Sequence, residues 1–290
     1  MTGGGLLIDI KAHLNNIALH HTIFDLPFAY IGALMASNGN PGWETILWIT
    51  VALTSARAAA LAIDNLADLK YDSQQPRMAY RAMVAGRISK REALIFIALC
   101  FVVLIFAVLQ LRPICIYLLP IAALPCIIYP FTKRFTGYCH VFLGIAIAMA
   151  PAGGWVAAGG EVISFPLLVL CIGVVFWMAG FDGMYGAQDR KFDMEHGLHS
   201  LATEHGSKNA FGIARNYHLF AFFAFLSAGI LVRIAWPYYI GVVIAGAVLI
   251  YQHRILKWND FRHLNQRYFM RNGLVSIALF LFTWASYLIG

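Results

Sequence analysis

The stretch Ala93-Leu94-Ile95-Phe96-Ile97-Ala98-Leu99-Cys100-Phe101-Val102-Val103-Leu104-Ile105-Phe106-Ala107-Val108-Leu109-Gln110-Leu111 decides the fold class. It carries no charge, and as a helix it would be apolar on every face. Such a helix belongs in a large core or a bilayer. About 20 apolar residues at 1.5 Å rise cross a hydrocarbon layer of about 30 Å. Working outward, comparable segments lie at roughly 15–37, 44–69, 114–131, 138–158, 163–187, 209–231, 236–256 and 269–289. A chain of 290 residues cannot bury nine such helices in itself. Its composition agrees, with 60% hydrophobic and 12% charged residues against about 25% charged in soluble domains, and a mean hydropathy of +0.70. Soluble enzyme, nucleic-acid binder and disordered scaffold are excluded. The expectation is an all-α membrane protein with nine transmembrane helices, a single domain over residues 1–290.

The connections set the orientation. Most basic residues follow the second, fourth, sixth and eighth segments: Lys70, Arg77, Arg81, Arg87, Lys90 and Arg91; Lys133 and Arg134; Arg190, Lys191, Lys208 and Arg215; Arg254, Lys257, Arg262, Arg267 and Arg271. With Lys11 they occupy one side, against Arg112 and Arg233 on the other. The bias places the basic side and the N-terminus in the cytoplasm and the C-terminus outside; the net charge of +7 has the same origin. Cys100, Cys115, Cys126, Cys139 and Cys171 form no CxxC pair and read as small core residues. The N-terminal run has no basic n-region or cleavage site, so no signal peptide is expected. Pro113, Pro166 and Pro237 fall near helix starts, whereas Pro130 and Pro151 fall late and kink or end their helices.

Six of the 14 acidic residues fall in two clusters. Asp64, Asp68 and Asp72 are four apart and form one stripe on a helix. Asp182, Asp189 and Asp193 are seven and four apart, again one face. Each cluster closes an even-numbered segment, so both are expected at the same cytoplasmic end. Like charges so arranged repel, and the membrane raises their cost. Divalent cations neutralise them naturally, since Mg²⁺ takes a few carboxylates together with substrate phosphates. The plainer alternative is two solvated loop helices paired with nearby Lys and Arg.

Arg57 lies one or two turns inside the second segment and needs a partner; the Asp stripe is the expected one. Arg77, Arg81, Lys133 and Arg134 supply the forks and point charge that a diphosphate requires, or are simply positive-inside charge. Asp25, in the first segment, pairs with His20 or His21 or lines a cavity. The ten histidines form no metal-binding motif, and Cys139-His140 alone is too little to assign one.

At these residues the sequence resembles the UbiA family of intramembrane aromatic prenyltransferases. Asp64-x3-Asp68-x3-Asp72, followed by Pro76-Arg77 and Arg81, is similar to that family's first signature, N-D/R-x-x-D-x-x-x-D then P-R-T-x-x-R-P. Tyr185-Gly186-Ala187-Gln188-Asp189-x3-Asp193-x3-Gly197-Leu198-His199-Ser200 resembles the second. Tyr129-Pro130-Phe131-Thr132-Lys133-Arg134-Phe135-Thr136 with Cys139-His140, and His21-Thr22 with Leu26-Pro27-Phe28-Ala29, resemble the 4-hydroxybenzoate polyprenyltransferase branch. Asp64 and Asn65 depart from the usual Asn and Asp or Arg, and Ala82 and Ala202 stand where prolines are usual.

The resemblance implies nine helices around a central cavity and transfer of a polyprenyl group from an allylic diphosphate to an aromatic acid. The acceptor would be 4-hydroxybenzoate, on a ubiquinone route, or 1,4-dihydroxy-6-naphthoate, on a menaquinone route. Asp64, Asp68, Asp72, Asp189 and Asp193 would hold Mg²⁺, with Asp68, Asp72, Asp189 and Asp193 catalytic. Arg57, Arg77, Arg81, Lys133, Arg134, Tyr185 and Asp182 would bind substrate, Arg134 meeting the acceptor carboxylate. The expected setting is the bacterial cytoplasmic membrane, with lipid around the chain and no obligatory protein partner. Two other classes compete. A secondary transporter carries its acids near the midplane, not at helix ends. A CDP-alcohol phosphotransferase needs an Ala-Arg that does not follow Asp182-Gly183.

Overall fold

The computed structural model describes residues 25–262, 264 and 266–289, without the side chains of 266–270. Residues 15–24 of the first expected span, with His20 and His21, lie outside them. The described residues form helices α1 (Leu26–Ala36), α2 (Trp43–Ala67), α3 (Leu69–Asp72), α4 (Lys90–Leu109), α5 (Ile114–Thr132), α6 (Cys139–Ala157), α7 (Phe165–Gly186), α8 (Arg190–Glu195), α9 (Leu201–Leu231), α10 (Pro237–Ile255) and α11 (Gln266–Ile289). Short 3₁₀ turns at Pro76–Met78 and Ala187–Asp189 join the pieces at one end.

Local chemistry explains the boundaries. Ser89 and Glu92 close a capping box at the start of α4, and Ser200 with Thr203 does the same for α9. Pro27, Pro166 and Pro237 occupy first turns, where no amide proton is needed. Pro120, Pro125 and Pro130 lie inside α5, and Pro151 lies inside α6. Gly206, at φ 77°, kinks α9 near its start.

Seven helices among the described residues, α2, α4, α5, α6, α7, α10 and α11, are long and apolar enough to cross a membrane. The remaining two expected segments correspond to the short α1 and to α9, which begins earlier than expected and carries polar residues in its first half. Large apolar side chains point outward, among them Val102 (63% exposed), Tyr117 (75%) and Ile163 (93%). A water-soluble monomer does not display so much apolar surface. The chain is an integral membrane protein.

Successive helices pack as neighbours, and α11 returns to α1 to close the ring. The core centres on α7, packed between α6 and α9. There Phe28 lies 5.0 Å from Trp177 and 5.7 Å from Phe225, centroid to centroid. Trp177 is fully buried and donates its indole N–H to Asn272 Oδ1 at 3.0 Å. On the other side, α1, α2, α4, α5 and α6 enclose an apolar cavity of about 340 Å³.

α1 and α6 cross at backbone contact, because glycines face backbone on both sides. A Cβ on Gly154 would collide with the Ala29 carbonyl, and one on Gly32 with that of Pro151. Neither carbonyl can swing aside as a side-chain tip would, and overpacking a rigid site costs about 1–3 kcal/mol. Gly154→Ala should therefore lower the thermal midpoint of the detergent-solubilised protein by several degrees. Gly153→Ala, with nothing within 4 Å of the added atom, should leave the midpoint unchanged or raise it. Equal midpoints for the two variants would contradict this crossing.

Candidate active site

Both aspartate clusters emerge at the same end of the bundle. α2 delivers Asp64 in its last turn and ends at Asp68, and the single turn α3 delivers Asp72. α7 delivers Asp182; Asp189 and Asp193 follow on the 3₁₀ turn and α8. The connection after α3 crosses to the second cluster. Arg77 donates to both oxygens of Asp189, at 2.7 and 2.6 Å, and to the Tyr185 hydroxyl at 3.4 Å. Its guanidinium lies 5.7 Å from the Tyr185 ring. Gln75 adds a bond to Asp189 Oδ1 at 2.8 Å, and Gln74 meets His196 at 3.2 Å. The two signatures thus meet at one end of the bundle.

The electrostatics follow from where the helices end. Arg81 pairs with Asp72 at 2.5 Å. Burial pushes the Asp72 carboxyl up from its ordinary range, against the pull of Arg81. Burial, reinforced by Asp64, raises Asp68 to about 7. Lys133 lies in the field of Asp193, Asp182 and Asp68. Although burial opposes it, those carboxylates hold its ammonium above the usual lysine range. Asp193 is buried and its Oδ2 has no hydrogen-bond partner.

Three residues sit differently from expectation. Arg57 pairs with Asp25, not with the Asp stripe, and Asp25 thereby finds its partner in an arginine on α2. Both line the apolar cavity, and Arg57 Nε and Asp25 Oδ1 have no partner. The pair needs the packing of α1 against α2, which helical periodicity within one segment does not reveal. Arg134 is exposed; it donates to the Ala67 carbonyl at 3.0 Å, at the end of α2, and lies 4.8 Å from the Phe131 ring and 5.8 Å from the Tyr71 ring. Its fork caps a helix terminus, where a cation is favoured, instead of standing free for a carboxylate. Asp182 is bonded at 2.7 Å to His140, a residue that the sequence places in a stretch resembling the family but gives no role. Tyr129, which faces Asp64, and Gln75 also went unread as site residues; only their helix-end position near the clusters could have flagged them.

Among the described residues no three His, Cys, Asp or Glu side chains are already gathered as a metal cage. The donor set nevertheless fits a hard divalent cation. It consists of carboxylates from two helix ends, one orphaned buried oxygen on Asp193, and a carboxyl at Asp68 raised by burial with Asp64 beside it. The adjoining cavity is lined by Ala60, Leu61, Ile63 and Tyr129 on the side toward Asp64 and runs on between apolar side chains of α4 and α5.

The model of the UbiA prenyltransferase family matches residues 26–275. The chain is 32% identical over 256 residues to the 4-hydroxybenzoate octaprenyltransferase of Thiobacillus denitrificans, covering 85% of this chain and 83% of that one. It is 32% identical over 240 residues to the enzyme of the same name from Cupriavidus necator, covering 80% and 83%. Among solved structures, a UbiA homolog from Aeropyrum pernix in its apo form superposes with a TM-score of 0.82 at 28% identity, over 93% of this chain and 98% of that chain. A UbiA homolog from Archaeoglobus fulgidus bound to DMAPP and Mg²⁺ superposes with a TM-score of 0.71 over 96% and 99% of the two chains, and at 16% identity it shows the fold alone. With sequence match and fold agreeing along most of its length, the chain belongs to the UbiA prenyltransferase family and is a membrane-embedded prenyl-transferring enzyme.

Proposed function

We propose that the enzyme transfers a polyprenyl group from an allylic polyprenyl diphosphate to a hydroxylated aromatic acid in quinone biosynthesis. The observation that carries this is one polar rim, built from both aspartate clusters and bridged by Arg77, opening beside an apolar cavity. The names of the relatives favour 4-hydroxybenzoate as acceptor; 1,4-dihydroxy-6-naphthoate is the second candidate. The whole chain acts as one domain in a bacterial cytoplasmic membrane, with the N-terminus and the site loops in the cytoplasm, as the loop charges argue. An activity reporter fused after the last helix and working only in the cytoplasm would overturn that orientation.

Asp64, Asp68, Asp72, Asp189 and Asp193 would hold Mg²⁺, which when bound neutralises charge on the departing diphosphate. Arg77, Arg81 and Lys133 bind diphosphate oxygens, the two forks by paired hydrogen bonds and the lysine as a point charge. Tyr185 holds Arg77 at the rim. As the allylic C–O bond breaks, the apolar walls of the cavity keep water from the cation. The ring carbon ortho to the acceptor hydroxyl then forms the new bond and gives up its proton. Arg57 Nε and Asp25 Oδ1 offer that acceptor one donor and one hydrogen-bond acceptor inside an otherwise apolar wall. This assigns the carboxylate to Arg57 and leaves Arg134 as the cap of α2.

Membranes given a labelled prenyl diphosphate, Mg²⁺ and each acceptor in turn test the reaction directly. Asp68→Ala and Asp189→Ala should each lower turnover by orders of magnitude while the protein still inserts and elutes as a folded species. EDTA should abolish activity and Mg²⁺ restore it. Near-normal prenylation by either variant, or in EDTA, would overturn the site.

A proton on Asp68 competes with the metal, and its carboxyl sits at about 7 against a reference of 3.8. Ligand carboxylates must be deprotonated, so lowering the pH from 8 to 6 should raise the half-saturating Mg²⁺ concentration roughly tenfold. A flat Mg²⁺ requirement across that range would remove Asp68 from the ligand set.

Arg57→Lys should raise the acceptor KM by about ten- to hundred-fold, the weight of a charge-assisted bond, with a much smaller change in donor KM. Arg134→Ala should change both equally. An acceptor-selective effect at Arg134 would reverse the assignment.

A further inference from the structure

His140 lies in the first turn of α6 and is 1% exposed. Its imidazole joins three elements. Nδ1 meets Asp182 Oδ2 of α7 at 2.7 Å, and Nε2 accepts from the backbone N–H of Leu201, the first residue of α9, at 3.5 Å. The Asp182 carboxylate can only accept, so Nδ1 carries a proton directed at it. The Leu201 amide belongs to the first turn of α9, whose N–H groups have no partner within the helix.

The ring also has a prepared seat. α7 turns Gly183 and Gly186 toward it, and a Cβ on Gly186 would stand 3.0 Å from His140 Cε1. The backbone around it is fastened to the second signature. His199 donates its amide to the Lys133 carbonyl at 2.7 Å, and Cys139 Sγ lies 3.6 Å from the His199 carbonyl. Asp182, in turn, is one of the carboxylates that hold the Lys133 ammonium. A chain of hydrogen bonds therefore runs from the start of α9 through His140 to Asp182, whose charge acts on Lys133 from the same side of the site.

We propose that His140 is a positioning residue for prenyl transfer: its Nδ1–H fixes the Asp182 carboxylate in place at the rim of the site. The inference rests on the site proposed above, and outer partners of this kind typically weigh ten- to hundred-fold in activity.

The two amide side chains separate the hydrogen bond from the volume of the ring. The side-chain N–H of Asn reaches the place of imidazole Nδ1, whereas that of Gln reaches the place of Nε2, where Leu201 offers a donor and not an acceptor. Turnover and both KM values should be measured on the full chain in membranes for H140A, H140N, H140Q, D182N and the double variant H140A/D182N. The expected result is a ten- to hundred-fold loss of kcat in H140A, H140Q and D182N, with little change in acceptor KM. H140N should recover most of that loss, and the double variant should be no worse than D182N alone. Where H140A does not fold, H140N against H140Q carries the comparison.

Normal turnover by H140A or H140Q beside an impaired D182N would overturn the role of His140 and leave the site standing. So would an H140N no better than H140Q, or a double variant in which the two losses multiply. Normal turnover by D182N would overturn the assignment of Asp182 to the site, and this inference with it.

Discussion

Six carboxylates end up at one end of a bundle whose remaining surface is hydrocarbon-like, and the local structure is organised around the cost of that placement. Charge near a low-dielectric interior has to be paired, hydrogen-bonded or neutralised by protonation. Each solution is present. Arg81 covers Asp72 and Arg77 covers Asp189 with both oxygens. His140 covers Asp182, and Lys133 is shared among Asp193, Asp182 and Asp68. One buried oxygen of Asp193 is left over, and the Asp68 carboxyl rises to about 7. The protein's own cations do not close the account at these two residues, and the proposed metal and diphosphate would complete it. The same arginines determine the path of the chain after α3, because Arg77 reaches its carboxylate only if residues 73–89 cross from the first cluster to the second.

Away from that rim the demands reverse. The proposed isoprenoid chain and short-lived cation would require a space with few polar atoms, and the space between α1, α2, α4, α5 and α6 is of that kind. Its exception is the Asp25–Arg57 pair. Removing one member of a buried ion pair is costly because it strands the other charge, so the pair is retained as a unit. Both residues line the cavity, and one buried polar atom of each has no hydrogen-bond partner. Rim and cavity together divide the proposed reaction between leaving group and acceptor without a mobile domain.

Much of the architecture could be read from residue patterns. Among the described residues hydropathy locates seven long helices to within a few residues, because bilayer thickness sets one required length and one required polarity for any spanning segment. α9 begins eight residues before the apolar segment, because Leu201 to Lys208 include polar residues that hydropathy does not register and start from the Ser200–Thr203 capping box. The aspartate stripes and their common side were legible as well: spacing within a helix and alternation of loop charge are local properties of the chain.

Pairing between elements was not legible. Arg57 was assigned to the nearest acids on its own helix, yet its partner is Asp25 on α1. Arg134 looked like a free guanidinium, yet it caps α2. His140 carries no metal-ligand spacing in the sequence, yet it is the bond partner of Asp182. The sequence by itself determined which segments are helical, that they belong in a membrane, and which residues carry the dense negative charge, because each follows from composition and period along one stretch. Only the tertiary structure decided which cation meets which carboxylate and where the apolar space lies. Those depend on the rotation and crossing of helices brought together from distant parts of the chain, and close approaches such as Gly154 against the Ala29 carbonyl are specified by three-dimensional packing and not by any one-dimensional period.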